Sequence, residues 1–237
     1  MSGIRAMVAS DAMRSRGYVV QVAWMWVLIG VGVNLLQDGP IFALIAIPAS
    51  TGFSMLLSSF GQDEAGDWQL FRLTTPLDRR EVVWGRMAFV TLAVALSAAF
   101  AVVLALVSMA IGQWAGMEGL NLEGRGMSSW DVVWASLMLT VGGTLACGAL
   151  MAPLAFKSGV QKSLRAMPLL FAGIVTLVAY LVSPGGPWGT APMEAFGRLM
   201  DALGGVAGLG CLLLGVGVAL WVLGGAVAAR LYESRQF

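Results

Sequence analysis

Twelve of the fourteen Lys and Arg residues of this 237-residue chain fall into four short polar segments, and long apolar stretches separate those segments. That alternation constrains the fold more than any other feature. A helix rises about 1.5 Å per residue, so about 20 apolar residues cross the hydrocarbon layer. The apolar stretches predict spans near 19–36, 41–60, 87–112, 131–156, 168–183 and 203–229. The expected fold is an all-α polytopic membrane protein, one transmembrane domain over 1–237 with six transmembrane helices. Composition agrees, because 58% apolar and 11% charged residues lie far from the roughly one-quarter charged content of soluble proteins.

The basic residues sort by side. Residues 1–18 carry Arg5, Arg14 and Arg16; residues 61–86 carry Arg72, Arg79, Arg80 and Arg86; residues 157–167 carry Lys157, Lys162 and Arg165; the tail carries Arg230 and Arg235. The alternate loops hold only Arg125 and Arg198. The positive-inside rule then predicts two cytoplasmic termini. Acidic residues divide seven inside to six outside, as expected for groups that contribute little to orientation. The net charge of +1 gives no reason to expect nucleic acid as a partner. The first apolar stretch follows 18 residues that include Asp11 and is too long for a signal-peptide h-region, so it is expected to be retained. Cys147 and Cys211 lie inside predicted spans and imply no disulfide framework. Twelve Arg against two Lys, amid abundant Ala, Gly and Val, fits a GC-rich bacterial genome and hence a bacterial plasma membrane.

Several chemistries are excluded by absence. The chain has no histidine, which removes Ser–His proteolysis, His-ligated zinc or iron and axial His ligation of haem. Apart from Asp131, at the very start of the fourth, no Asp, Glu, Lys or Arg falls inside the predicted spans, whereas proton relays and ion-coupled carriers need ionisable groups at depth. No GxxxxGK[ST] occurs and no Lys precedes residue 157, so no phosphate-cradling loop can be drawn. Asp63, Glu64 and Asp67 could in principle hold a metal, but without His they better fit a solvated loop. No catalytic residue, metal site or cofactor is expected in this chain. Small residues recur at Gly204, Gly208, Cys211 and Gly215, and at Gly142, Gly143, Ala146 and Cys147, and are expected to serve helix packing. Pro48 and Pro153 are expected to kink or end their helices.

The segment 61–86, GQDEAGDWQLFRLTTPLDRREVVWGR, departs from the apolar pattern. Trp68 and Phe71 are three apart, and Leu70 and Leu73 add apolar bulk, which predicts a short amphipathic helix around 64–73 at the membrane edge. Thr74, Thr75 and Pro76 break it. Asp78 with Glu81 three residues later resembles a capping box that starts the third span. In the outer segments 113–130 and 184–202, Trp114, Trp130 and Trp188 predict an aromatic belt. Met193, Phe196, Leu199, Met200 and Leu203 predict a short amphipathic helix just before the last span.

From Asp63 through Trp68 to TTPLDRREVVWGR, and again at the ending ARLYESRQF, the sequence resembles permease subunits of type-2 ABC exporters, most of all the short six-span forms that export peptides or antimicrobials. The turn departs from the family pattern in having Thr75-Pro76 for the commoner Leu/Ser-Pro. The resemblance implies that residues 3–18 form an elbow helix on the inner leaflet, with Ile4, Met7 and Val8 on one side and Arg5 and Arg16 elsewhere. It implies that the loop helix is a coupling helix seated in a cleft of a separate ATPase, with Trp68 and Phe71 as apolar contacts and Arg72, Arg79 and Arg80 as polar ones. It implies two ABC ATP-binding subunits, carrying ATP and Mg, and a second permease copy or paralogue. The expected function is outward movement of an amphipathic or hydrophobic substrate such as a peptide, antibiotic or lipid-like molecule. The alternative is a non-transporting membrane scaffold or regulatory subunit, in which the loop helix is only an interfacial anchor.

Overall fold

The computed structural model describes residues 3–36, 41–65, 78–115, 129–159 and 191–233, with isolated positions between 162 and 180. Every regular element among the described residues is helical: α1 (Gly3–Leu36), α2 (Ile41–Ala65), α3 (Arg79–Ala115), α4 (Ser129–Ser158), α5 (Ala191–Ala202) and α6 (Val206–Glu233). Stretches of α3 (Arg79–Ile111), α4 (Val133–Lys157) and α6 (Val206–Glu233) are long and apolar enough to cross a membrane, and Ala43–Ser59 of α2 is a shorter apolar helix. The all-α membrane architecture follows from these runs, which can satisfy their backbone amides in lipid only by helical bonding.

Local chemistry sets the helix ends. Before α3 the Asp78 amide donates to Glu81 Oε2 at 3.3 Å, and Val82 N donates to the Asp78 carbonyl at 3.2 Å. This is the reciprocal half of the expected capping box. Between α5 and α6 the chain turns on Gly204 and Gly205, at φ 75° and 102°. Gly205 N donates back to Met200 O at 2.8 Å, which closes α5 in the left-handed conformation that glycine adopts without strain. Neither proline ends its helix: α2 runs on from the buried Pro48 to Ala65, and α4 from Pro153 to Ser158. In α1 no break separates the polar first 18 residues from the first span, since one helix of 34 residues carries both. Its only glycine before residue 30 with a free neighbourhood is Gly17, and no proline interrupts it.

Helix α3 is the hub, packed on α1, α2, α4 and α6. One core cluster joins Met7, Val83, Met87, Val90, Leu145, Phe156, Trp221 and Tyr232 near the end where α1 and α3 begin; a second joins Val22, Trp26, Leu44, Ile47, Ala101, Leu104 and Leu137 further along. Trp221 Nε1 donates to Thr91 Oγ1 at 2.9 Å, and Thr91 in turn donates to Met87 O at 2.8 Å. Most hydroxyls in the bundle bond back to their own helix in the same way, as Ser54, Ser97, Ser108, Thr140 and Thr144 do.

The tightest seam is α4 against α6. Gly210 meets Ala135, Gly217 meets Gly142, and Gly224 meets Ala149, where an added Cβ would come within 2.6 Å of Ala149 O. The spacing is seven on both helices and both numberings rise together, so α4 and α6 are parallel. Chain between them must therefore travel back the length of the 30-residue α4, about 45 Å. The expected fifth span, 168–183, lies mostly outside the described residues; Ala172, Gly173, Thr176, Leu177 and Tyr180 within it are helical. The small-residue face expected on the last span is corrected here. Gly204 belongs to the α5–α6 turn, a Cβ on Gly215 or Gly143 would meet no other element within 4 Å, and one on Gly208 would meet the preceding Leu203. Gly142 alone of the expected glycines lies in the seam.

Candidate functional site

At the end of the bundle where α1, α3, α4 and α6 meet, the chain gathers its polar side chains. The N-terminal part of α1 lies directly on the start of α3, because Gly85 leaves room for Met7: a Cβ there would come 2.5 Å from Met7 Cβ. A Cβ on Gly3 would likewise collide with the Glu81 carboxylate. Met7, Asp11 and Ser15 are buried on this face while Arg5 and Arg16 stay exposed. Of the three residues expected on the apolar side, Met7 is buried and Val8 partly buried against the core, whereas Ile4 is exposed and the covered face also carries Asp11 and Ser15.

Two charges are buried in that contact. Asp11 Oδ2 and Arg86 Nε are 3.8 Å apart, with side-chain exposures of only 4% and 3%. The Arg86 guanidinium also lies 6.0 Å from the centroid of the Phe156 ring, and Phe156 packs against Tyr232 with centroids 5.3 Å apart. One chain of contacts thus runs from α1 through α3 and α4 to α6. Buried opposite charges in a low dielectric are costly to separate, although their net worth against apolar replacements is small.

Arg79 and Arg80 extend the same junction outward. Arg79 Nη1 donates to the Tyr232 and Glu233 carbonyls at 3.4 and 3.0 Å, which caps α6 where its unpaired carbonyls and negative dipole end favour a cation. Arg80 forms a two-point ion pair with Glu233: Nε on Oε1, and Nη2 on Oε2 at 3.4 Å. Arg80 remains 64% exposed, so the pair contributes little to stability. Of the five residues expected to couple to an ATPase, the structure therefore places Arg79 and Arg80 on the end of α6. Trp68, Phe71 and Arg72 lie outside the described residues.

The two helices flanking segment 66–77 are both anchored at this end, since α2 finishes at Ala65 and α3 starts at Arg79. Here also lie Arg5, Arg14, Arg16, Arg86, Lys157 and Arg230, whereas Trp114 and Trp130 are exposed at the opposite end, at the close of α3 and the opening of α4. Trp188 lies outside the described residues. Helix α5, the expected amphipathic helix before the last span, is present at that far end and touches α6 only lightly.

A family model described as ABC-2 family transporter protein matches residues 11–233. The chain belongs to this family. Comparison with curated proteins finds no match, and comparison with solved structures finds none either. The match runs from Asp11 of the buried charge pair, within α1, to the end of α6. As an ABC-2 family protein the chain is a membrane-embedded ABC permease subunit, and such subunits work with ABC ATP-binding subunits.

Sequence reasoning missed Asp11 and Arg86 as partners. The local signal was there for each, since Asp11 follows Met7 by one helical turn and Arg86 lies among the buried Val82, Val83 and Met87. What no local pattern carries is the pairing of residues 75 positions apart.

Proposed function

We propose that the chain is the permease of an exporter that moves an amphipathic or hydrophobic substrate outward across a bacterial plasma membrane, with both termini and the 61–86 segment in the cytoplasm. The collection of basic residues at one end supports that orientation under the positive-inside rule. Six spans are supported by the parallel α4–α6 seam, which requires one further crossing between them. A second permease copy or a paralogue completes the pathway, and two ATPase subunits supply hydrolysis with ATP and Mg.

The observation that carries the reading is the junction beneath the 61–86 segment. Force applied to that segment reaches α3 first, then α6 through Arg79 and Arg80, and α1 through Arg86 and Asp11. Trp68 and Phe71 are assigned as the apolar contacts to the ATPase, and Arg72 as a polar one. Because Arg79 and Arg80 hold α6, their role is assigned to transmission within the permease. Rigid-body movement of the helices would then follow ATP-driven closure.

The test is capture of the ATPase subunit by membranes containing the Trp68→Ala, Phe71→Ala double variant. Interface aromatics commonly contribute about 2 kcal/mol each, about thirtyfold in affinity. Capture per inserted permease is expected to fall at least that far. Undiminished capture would reject the coupling assignment and favour an interfacial anchor.

A further inference from the structure

Between α1, α2 and α3 lies a cavity of about 460 Å³, within the roughly 300–1,000 Å³ range of small-molecule sites. Each helix gives it one stripe of side chains: Ala12 to Trp26 on α1, Ile47 to Met55 on α2 and Phe89 to Phe100 on α3. The α2 stripe is a buried floor, since Ile47, Thr51 and Met55 are at most 7% exposed. Val20 on α1 and Leu92 and Leu96 on α3 form the rim, each half exposed or more. The cavity is therefore a slot between α1 and α3 that opens sideways, which in a membrane-spanning bundle is toward lipid.

The length of the slot along the bundle matches one leaflet. Phe89 lies three residues past Arg86, the last charged residue of α3, and Phe100 lies eleven residues further on, about 16 Å. That is about half of the roughly 30 Å hydrocarbon layer. One end closes where Trp26, Ile47 and Phe100 join the second core cluster. The other, at Ala12, Met55 and Phe89, reaches the level of the Asp11–Arg86 pair. The slot thus runs from the membrane boundary at the basic end to the middle of the bilayer.

Its chemistry narrows the occupant. Almost none of the lining surface is polar, and Trp26 Nε1 and Thr51 Oγ1 are buried behind it. Arg16, in the α1 stripe, is an exposed residue whose methylene stem suits such a wall while its head reaches water. An ordered water needs about two to four polar partners, so water is not held here, and a headgroup, carboxylate or peptide finds nothing to pair with. Left empty, the slot forfeits the dispersion contacts of its walls. Its volume is about three times the roughly 150 Å³ that takes one benzene ring, room for about 18 carbons.

We infer that the slot holds one acyl chain of a membrane lipid from the leaflet at the basic end, recognised by shape, with the headgroup left outside. The chain enters between Val20 and Leu96, lies on Ile47, Thr51 and Met55, and ends against Trp26 and Phe100. The inference needs only the membrane setting, so it stands or falls separately from the ATPase reading.

The test uses the full chain in phosphatidylcholine nanodiscs that carry a trace of phosphatidylcholine with a diazirine in one acyl chain, and locates the light-induced adducts by peptide mass spectrometry. The floor is reached only through the slot, so adducts on Ile47, Thr51 or Met55 report a chain inside it. Adducts on Leu139 and Leu150, exposed on α4, report the surrounding lipid. A diazirine at the chain end is expected to mark Ile47, and one nearer the ester to mark Met55. Floor labelling should be unchanged when phosphatidylglycerol carries the same chain. Ala93→Phe, which fills the slot, should lower floor labelling at least about fivefold, and the smaller Ala23→Leu should lower it about twofold, with Leu139 labelling unchanged. The inference is overturned if Leu139 is labelled and the floor is not, if floor labelling survives both substitutions, if it depends on the headgroup, or if a photoreactive residue at Leu96 captures a second copy of the chain in place of lipid.

Discussion

The α4–α6 seam and the junction at the basic end, which joins α1, α3 and α6, hold the bundle together by opposite means. In the seam Gly217 lies on Gly142 and Gly224 on Ala149, so backbone meets backbone and shape decides everything. At the junction Asp11, Arg86, Arg79, Arg80 and Glu233 are joined by discrete charge and hydrogen-bond contacts. Close packing in lipid is gained through many small van der Waals contacts and has no alternative arrangement nearby. Paired side chains can exchange partners. The comparison teaches that shape complementarity holds the apolar middle of the bundle, whereas discrete polar pairing holds its basic end.

The sharpest break in this comparison comes from Arg86→Gln. Leaving Asp11 buried without its partner should cost about 3–5 kcal/mol, read as a fall in thermal unfolding midpoint of the solubilised chain. Adding Asp11→Asn should restore most of that loss. A double variant as unstable as the single would show that the charge pair is not what joins α1 to α3.

In the seam, Gly217→Val forces a side chain into Gly142 and should cost about 1–3 kcal/mol, seen in the same unfolding measurement. Gly215→Val, with nothing within 4 Å of its added Cβ, should stay within about 0.5 kcal/mol of the parent. Equal effects at the two positions would remove the distinction between seam and surface. Trp221→Phe sits between the regions, and loss of its bond to Thr91 should cost about 1 kcal/mol. The smallest effect is Arg80→Ala, at most about 1 kcal/mol and falling with added salt, because the Glu233 pair is exposed.

The parts legible in the sequence were those with local causes. Apolar runs gave the helices, Asp78 and Glu81 the start of α3, and the spacing of Met193, Phe196 and Met200 the amphipathic α5. Gly204 misled because glycine serves two purposes: a GxxxG face and a left-handed helix stop look alike until φ is known. The seven-residue spacing of Gly210, Gly217 and Gly224 was visible but lacked a partner pattern until Ala135, Gly142 and Ala149 were placed beside it. The contact of Arg79 and Arg80 with the end of α6 had no local signal, because it depends on tertiary approach across more than 150 residues.

The most direct test of the account is site-specific photocrosslinking in membranes that contain the ATPase subunit, with the photoreactive residue placed in turn at Trp68 and at Trp114. Position 68 lies in sequence between the end of α2 and the start of α3, both at the basic end, whereas Trp114 is exposed at the opposite end of the bundle. The account predicts a light-dependent adduct with the ABC ATP-binding subunit from position 68 and none from position 114. No adduct at 68, or equal adducts from both, would contradict it.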